Sequence, residues 1–197
     1  MTIISFIIGI IGTLLSAFGI FLSYESIKKT KETKTIDWSQ MQSASKHISR
    51  LLKRNFLPDC IITPGQKGGI FAQLIMDNLE IEVPIFTGFL FDKRININSE
   101  NNNNYIVIET TKWNVNLPNC LKDTAYSKIL IVDDLVMSGD FLTNLISQLK
   151  TYGYKDTNIK SCSIATTKVA ITTKKSPDYY WKVVDADDCY FPWGKAR

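Results

Sequence analysis

Histidine is almost missing from this chain, with His47 the sole instance, and cysteine is sparse, with Cys60, Cys120, Cys162 and Cys189 far apart and no CxxC pair. Zinc centres draw on clustered cysteine and histidine, and disulfide-built scaffolds need dense, paired cysteines. Both classes are excluded. The thiols read as buried groups in a reducing compartment, and His47 as a surface or packing residue. A basic stripe interleaved with aromatics is also missing, and the net charge of +4 is spread along the chain, so no nucleic-acid partner is expected.

Charge is missing altogether from Ile3 to Tyr24, and no basic residue precedes that run. A cleaved signal peptide needs a positive start and a small-residue cleavage site, which leaves a membrane span as the better reading. At about 1.5 Å per residue, a helix of this length matches the roughly 30 Å of a bilayer core. The expectation is a transmembrane helix over residues 1–24 and a charged juxtamembrane linker over 25–35. Lys28, Lys29, Lys31 and Lys34 then place the rest of the chain on the cytoplasmic side of the cell membrane, as a single-pass protein. Ser5, Gly9, Gly12, Ser16, Gly19 and Ser23 share one helical stripe, a pattern that lets helices approach closely. Homo-oligomerisation through this stripe and the ordinary abundance of small residues in membrane helices are both open.

What remains, residues 36–197, is enough for one sizeable core in a chain that is 45% hydrophobic. Trp38, Met41, Ile48, Leu51, Leu52 and Phe56 recur at helical spacing between an Asp37 cap and a stop at Pro58. Cys60 to Ile62 reads as a short buried strand, followed by a turn through Lys67, Gly68 and Gly69 and a helix from Ile70 to about Leu79. Val83 to Phe91, Tyr105 to Thr111 and Ile159 to Thr166 read as further strands. Between the first two lies an Asn-rich polar stretch, residues 96–104, expected to be a mobile loop.

The chemistry concentrates in KILIVDDLVMSGDFLTNLISQLKTYG, residues 128–153. Ile129 to Val132 suits a buried central strand, Asp133 and Asp134 follow, and a turn through Ser138 and Gly139 opens a helix that Gly153 ends. A loop opening a helix directs unpaired N–H groups and the positive end of the helix dipole at one point, which suits a phosphate. Paired carboxylates at the end of a parallel strand can accept hydrogen bonds from sugar hydroxyls or hold Mg2+ through water. The pattern alone leaves a second reading, in which the two acids only cap the next helix. Lys67, Gly68 and Gly69 form a second possible anion site by the same logic, or an ordinary turn.

IVDDLVMSGDF resembles the motif of the type I phosphoribosyltransferases that binds phosphoribosyl pyrophosphate (PRPP). The resemblance implies Asp133 and Asp134 as catalytic groups on the ribose hydroxyls, and Met137, Ser138, Gly139, Asp140 and Phe141 around the 5-phosphate. PDCIITPGQKGG resembles the first strand and pyrophosphate loop of hypoxanthine-type members, which assigns Lys67, Gly68 and Gly69 to pyrophosphate. Lys168 stands where purine enzymes carry a lysine that reads the base oxygen. Residues 177–180 and 191–193 resemble the tail of xanthine- and guanine-type members, and Lys93 and Arg94 lie at the base of a loop that in the family closes over the site.

Mg2+ is the implied cofactor, held through PRPP near Asp133 and Asp134 with no direct protein metal site. The implied fold is a three-layer α/β domain with a mainly parallel sheet. Met137 replaces the Asp usual in members acting on 6-oxopurines, Phe141 replaces a hydroxyl residue, and Asp140 adds negative charge near the expected phosphate. The expected function is therefore a membrane-anchored phosphoribosyltransferase for a nucleobase-like acceptor. The alternative is a non-catalytic sensor of PRPP or a nucleotide, acting in bacterial defence or stress, that signals through membrane assembly.

Overall fold

The computed structural model describes residues 11–26, 35–92, 105–109, 113–123, 126–185 and 189–195. Two compact units emerge, Met1–Ile36 and Asp37–Arg197. In the first, residues 11–26 form helix α1. Among the described residues no helix is long and apolar enough to cross a membrane. The expected span from Ile3 begins outside the described residues, as do Ser5 and Gly9 of the stripe and the lysines that follow it. Within α1 the Ser16 hydroxyl donates to the Gly12 carbonyl at 2.9 Å, and a Cβ on Gly12 or Gly19 would meet nothing within 4 Å.

The second unit begins with helix α2 (Trp38–Asn55), whose Asp37 cap accepts from the Gln40 N–H at 2.8 Å. Lys53 and Arg54 complement the dipole in its last turn. Met41, Ala44, Ile48 and Leu52 line its buried face, and the chain leads into strand β1 (Cys60–Thr63) and helix α3 (Gln66–Leu79). Polar groups between the two helices are partnered: Ser49 donates to the Ile75 carbonyl and Asn78 to the Ser45 hydroxyl. A buried hydroxyl or amide left without a partner there would be costly.

Strands β2 (Ile85–Thr87), β3 (Phe89–Asp92) and β4 (Tyr105–Glu109) follow. Val83 to Phe91, expected as one strand, is divided at Gly88. The Gly88 N–H donates to the Thr63 carbonyl at 2.8 Å, and a Cβ at Gly88 would stand 2.7 Å from the Pro64 carbonyl oxygen. The chain there leaves one sheet for another at a point with no room for a side chain. Strand β5 (Trp113–Pro118), which the pattern did not suggest, pairs antiparallel with β3 and β4. The Asn-rich stretch 96–104, with Lys93 and Arg94, lies outside the described residues.

Strand β6 (Ile129–Val136), helix α4 (Asp140–Thr151), strand β7 (Ile159–Thr167), helix α5 (Lys168–Thr172) and strand β8 (Tyr179–Val184) complete the main body. A short hairpin of β9 (Tyr190–Phe191) and β10 (Gly194–Lys195) ends it. Five strands form a wholly parallel sheet in the order β2-β1-β6-β7-β8. Because side chains alternate across a strand, Cys60, Ile62, Ile129 and Ile131 enter one core with Leu142, Leu145 and Leu149 of α4 and Ile106, Ile108, Val115 and Leu117 of the small sheet. Ile61, Leu130 and Val132, also buried, project to the opposite face, where α2 and α3 pack. The expected three-layer α/β fold with a mainly parallel sheet is present.

Candidate functional site

Asp133 and Asp134 lie within β6, two residues short of its end, where the sequence placed them just after the strand. Each carboxylate accepts from the next backbone N–H, Asp134 N–H to Asp133 Oδ1 and Leu135 N–H to Asp134 Oδ1, both at 2.9 Å. On one side β6 pairs with β7 as far as Val136, whereas on the other its pairing with β1 ends at Ile131. The edge left open is filled by the first turn of α3. A Cβ on Gly68 would lie 2.6 Å from the Val132 carbonyl oxygen and 3.3 Å from Asp133 Cα, so only glycine lets the helix approach the acids this closely.

Lys67, Gly68 and Gly69 therefore belong to the start of α3, which begins at Gln66 and not at Ile70 as expected. Their first-turn N–H groups have no partner one turn back, so they and the helix dipole stand beside the acid pair. Asp133 keeps partial solvent access, yet its carboxyl is crowded by protein. Burial pushes its pKa well above the usual carboxylate range, the neighbouring Asp134 adds to the rise, and the Lys67 charge opposes it.

Asp134 has a partner the sequence did not foretell. The indole Nε1–H of Trp193 donates to Asp134 Oδ2 at 3.1 Å. Trp193 stacks on Phe191, with ring centroids 5.3 Å apart and planes within 7°, and Trp38 meets it edge-on at 6.3 Å. Lys67 Nζ donates to the Lys195 carbonyl at 3.3 Å, so the β9–β10 hairpin touches both the acid pair and the α3 turn. An apolar cavity of about 640 Å³ flanks the same turn, lined by Trp38, Gln66, Gly69, Ile70 and Leu74 and by neither acid.

The loop after β6 is held from behind. Gly139 has φ +77°, a left-handed conformation, and a Cβ there would fall 2.1 Å from the Lys175 carbonyl oxygen. Thr167 donates its hydroxyl to the Met137 carbonyl, and the Thr143 N–H and hydroxyl both reach the Gly139 carbonyl at 2.9 Å. Asp140 opens α4 and pairs with Lys175, Nζ to Oδ1 at 2.5 Å. Hydrogen bonds from Lys175 and Ser138, together with the Lys175 charge, hold the Asp140 carboxyl below the ordinary range. The acid that looked unfavourable beside a phosphate is thus neutralised by a cation. Met137 and Ser138 are exposed, while Phe141 packs against the core formed with α4.

Lys168 is the first residue of α5, at the carboxyl end of β7, and forms an exposed ion pair with Asp185 at 2.7 Å. The carboxyl ends of β1, β6 and β7 are where open parallel sheets place ligands. There the structure brings together Asp133, Asp134, Lys67, Gly68 and Gly69, with residues 137–141 one turn onward. Among the described residues no group of three or more His, Cys, Asp or Glu is placed to hold a metal ion. Trp193 and Lys175 are the site residues that sequence reasoning missed. Trp193 lay in a motif noted for resemblance alone, and nothing local pairs Lys175 with a residue 35 positions away.

The family model described as "Phosphoribosyl transferase domain" matches residues 37–196. No curated protein matches this chain. Among solved structures, a purine phosphoribosyltransferase from Pyrococcus horikoshii is similar with a TM-score of 0.60 at 24% identity, covering 82% of this chain and 93% of that one. A xanthine-guanine-hypoxanthine phosphoribosyltransferase from Helicobacter pylori is similar with a TM-score of 0.54 at 16% identity, over 81% and 90% of the two chains. The APRTase from Giardia lamblia complexed with 9-deazaadenine gives 0.52 at 13% identity, over 73% and 79%. At such identities the likeness is one of fold. The acid pair, the two anion-directed turns and the match along nearly all of the second unit lead to one conclusion: this chain belongs to the phosphoribosyl transferase domain family.

Proposed function

We propose that the protein binds PRPP and transfers its phosphoribosyl group to a nucleobase-like acceptor with release of pyrophosphate. The observation that carries this reading is the seating of Gly68 on the Val132–Asp133 backbone, which sets a lysine and a helix amino terminus beside two carboxylates. In that reading Asp133 and Asp134 accept hydrogen bonds from the two ribose hydroxyls. Lys67 and the N–H groups opening α3 hold pyrophosphate, and the loop 137–141 holds the 5-phosphate at the start of α4. Keeping both ends of one substrate fixed orients the anomeric carbon between them and lowers the entropic part of the barrier.

The donor set fits an Mg2+ ion carried by the substrate better than one held by protein, because the site offers two adjacent carboxylates and, among the described residues, no third metal-binding group beside them. Such an ion, when bound, supplies charge neutralisation to the departing pyrophosphate. Lys168, beyond β7, is the candidate for reading a base oxygen, and Asp185 is the partner it would have to leave. The amino-terminal segment would anchor the protein in the cell membrane with the catalytic unit on the cytoplasmic side. The exposed apolar side chains of α1, among them Leu14, Leu15 and Ile20, support that placement. The small-residue stripe remains the surface through which copies would associate.

The second reading is a PRPP sensor without turnover, and the loop favours it at two points. Met137 supplies no general base, and Phe141 turns into the core where a hydroxyl would serve a phosphate. Pyrophosphate formation with Mg2+, PRPP and a panel of purine and pyrimidine bases separates the two. Release dependent on one base, lost in Asp134→Ala, supports transfer. Saturable PRPP binding with no release for any base supports the sensor.

A further inference from the structure

The hairpin at the end of the chain is the part of the site to which the acid-and-loop account gives no task. Asp134 has one oxygen fixed by the Leu135 N–H at 2.9 Å and the other by the Trp193 indole at 3.1 Å. A carboxylate tied at one oxygen rotates; tied at both, it keeps its plane, and its remaining lone pairs point in constant directions. Trp193 is itself held by stacking on Phe191, which is buried at 4% exposure, and by the edge of Trp38. The indole is therefore a rigid donor on a rigid support, and the support reaches Lys67 through the Lys195 carbonyl.

We propose that Trp193 is a positioning residue for ligand binding: its indole N–H locks the Asp134 carboxylate in the orientation that accepts a vicinal diol of the substrate sugar. This rests on the PRPP reading above. Without the indole donor the carboxylate must be immobilised when the ligand binds, and binding is expected to weaken roughly tenfold or more. The loss should depend on Asp134, since nothing else in the proposal connects the indole to the sugar.

The test is calorimetric titration of the full chain in detergent with Mg2+ and PRPP, for wild type, Trp193→Phe, Asp134→Ala and the double variant. Alongside it, the Trp193 indole 15N–1H resonance is followed in wild type and Asp134→Ala. The expected result is affinity reduced about tenfold or more in Trp193→Phe, no further reduction when that change is added to Asp134→Ala, and an indole resonance that moves when Asp134 is removed.

Wild-type affinity in Trp193→Phe, or an equal loss on the Asp134→Ala background, would overturn the positioning role while leaving the PRPP reading intact. Absence of PRPP binding by folded wild type would overturn both. Should Trp193→Phe fail to fold, the indole resonance decides: one unmoved by Asp134→Ala overturns the proposal, and one that moves with Asp134→Ala and again on PRPP addition to wild type supports it.

Discussion

A carboxyl crowded by protein and set beside a second carboxyl resists ionisation, and Asp133 is such a group. Between the ordinary carboxylate pKa and its raised value, the folded chain binds more protons than the unfolded one. Stability therefore falls as pH rises through that interval and stays lower above it. Asp133→Asn removes the titration. The variant is expected to melt higher than wild type at pH 7.5 and to lose that advantage near about pH 4, where both side chains are neutral. Equal melting temperatures across the range would show that Asp133 ionises freely in the folded protein. Gly139 gives a second test at this scale. With φ at +77° and the Lys175 carbonyl in the place of a Cβ, Gly139→Ala is expected to cost about 1–3 kcal/mol from the backbone, plus the collision, read from urea unfolding. Sequence marks Asp133, Asp134 and Gly139 because their types are local signals. It does not mark Trp193, whose hydrogen bond to Asp134 spans 59 positions and leaves no periodic trace.

Among the elements, α4 has two faces with different duties. Leu142, Leu145 and Leu149 bind it to the core, and its first turn adjoins the loop 137–141 proposed to hold the 5-phosphate. Leu145 is fully buried, so Leu145→Ala is expected to cost about 2–5 kcal/mol. Lys175, from the connection between α5 and β8, pairs with Asp140 in that first turn. Lys175→Ala would leave Asp140 unbalanced beside a phosphate. PRPP affinity is expected to fall about three- to tenfold with stability almost unchanged, since the pair is exposed; unchanged affinity in calorimetry would detach the pair from the phosphate site. The apolar run Ile129–Val132 marks β6, but two acids interrupt the hydrophobic pattern and hide its continuation to Val136. In β5 the asparagines at 114 and 116 alternate with Val115 and Leu117, and asparagine is depleted in strands, which masks the element. Gly68 and Gly69 read as loop although they open α3; at Gly68 glycine is needed for close approach and not for a turn.

For the whole molecule, the proposed reading places an enzyme or sensor at a membrane surface. The full chain is expected in the membrane fraction and resistant to alkaline extraction, and a variant lacking residues 2–26 in the supernatant. A full chain recovered in the supernatant would remove the anchor from the account. The central claim, that the acid pair and the two turns form one PRPP site, is tested most directly by titrating the detergent-solubilised full chain with Mg2+ and PRPP. Wild type and the Asp133→Asn, Asp134→Asn double variant are to be compared. Saturable binding by wild type that disappears in a folded double variant is the predicted result. Binding of equal strength in both, or none in either, would contradict it.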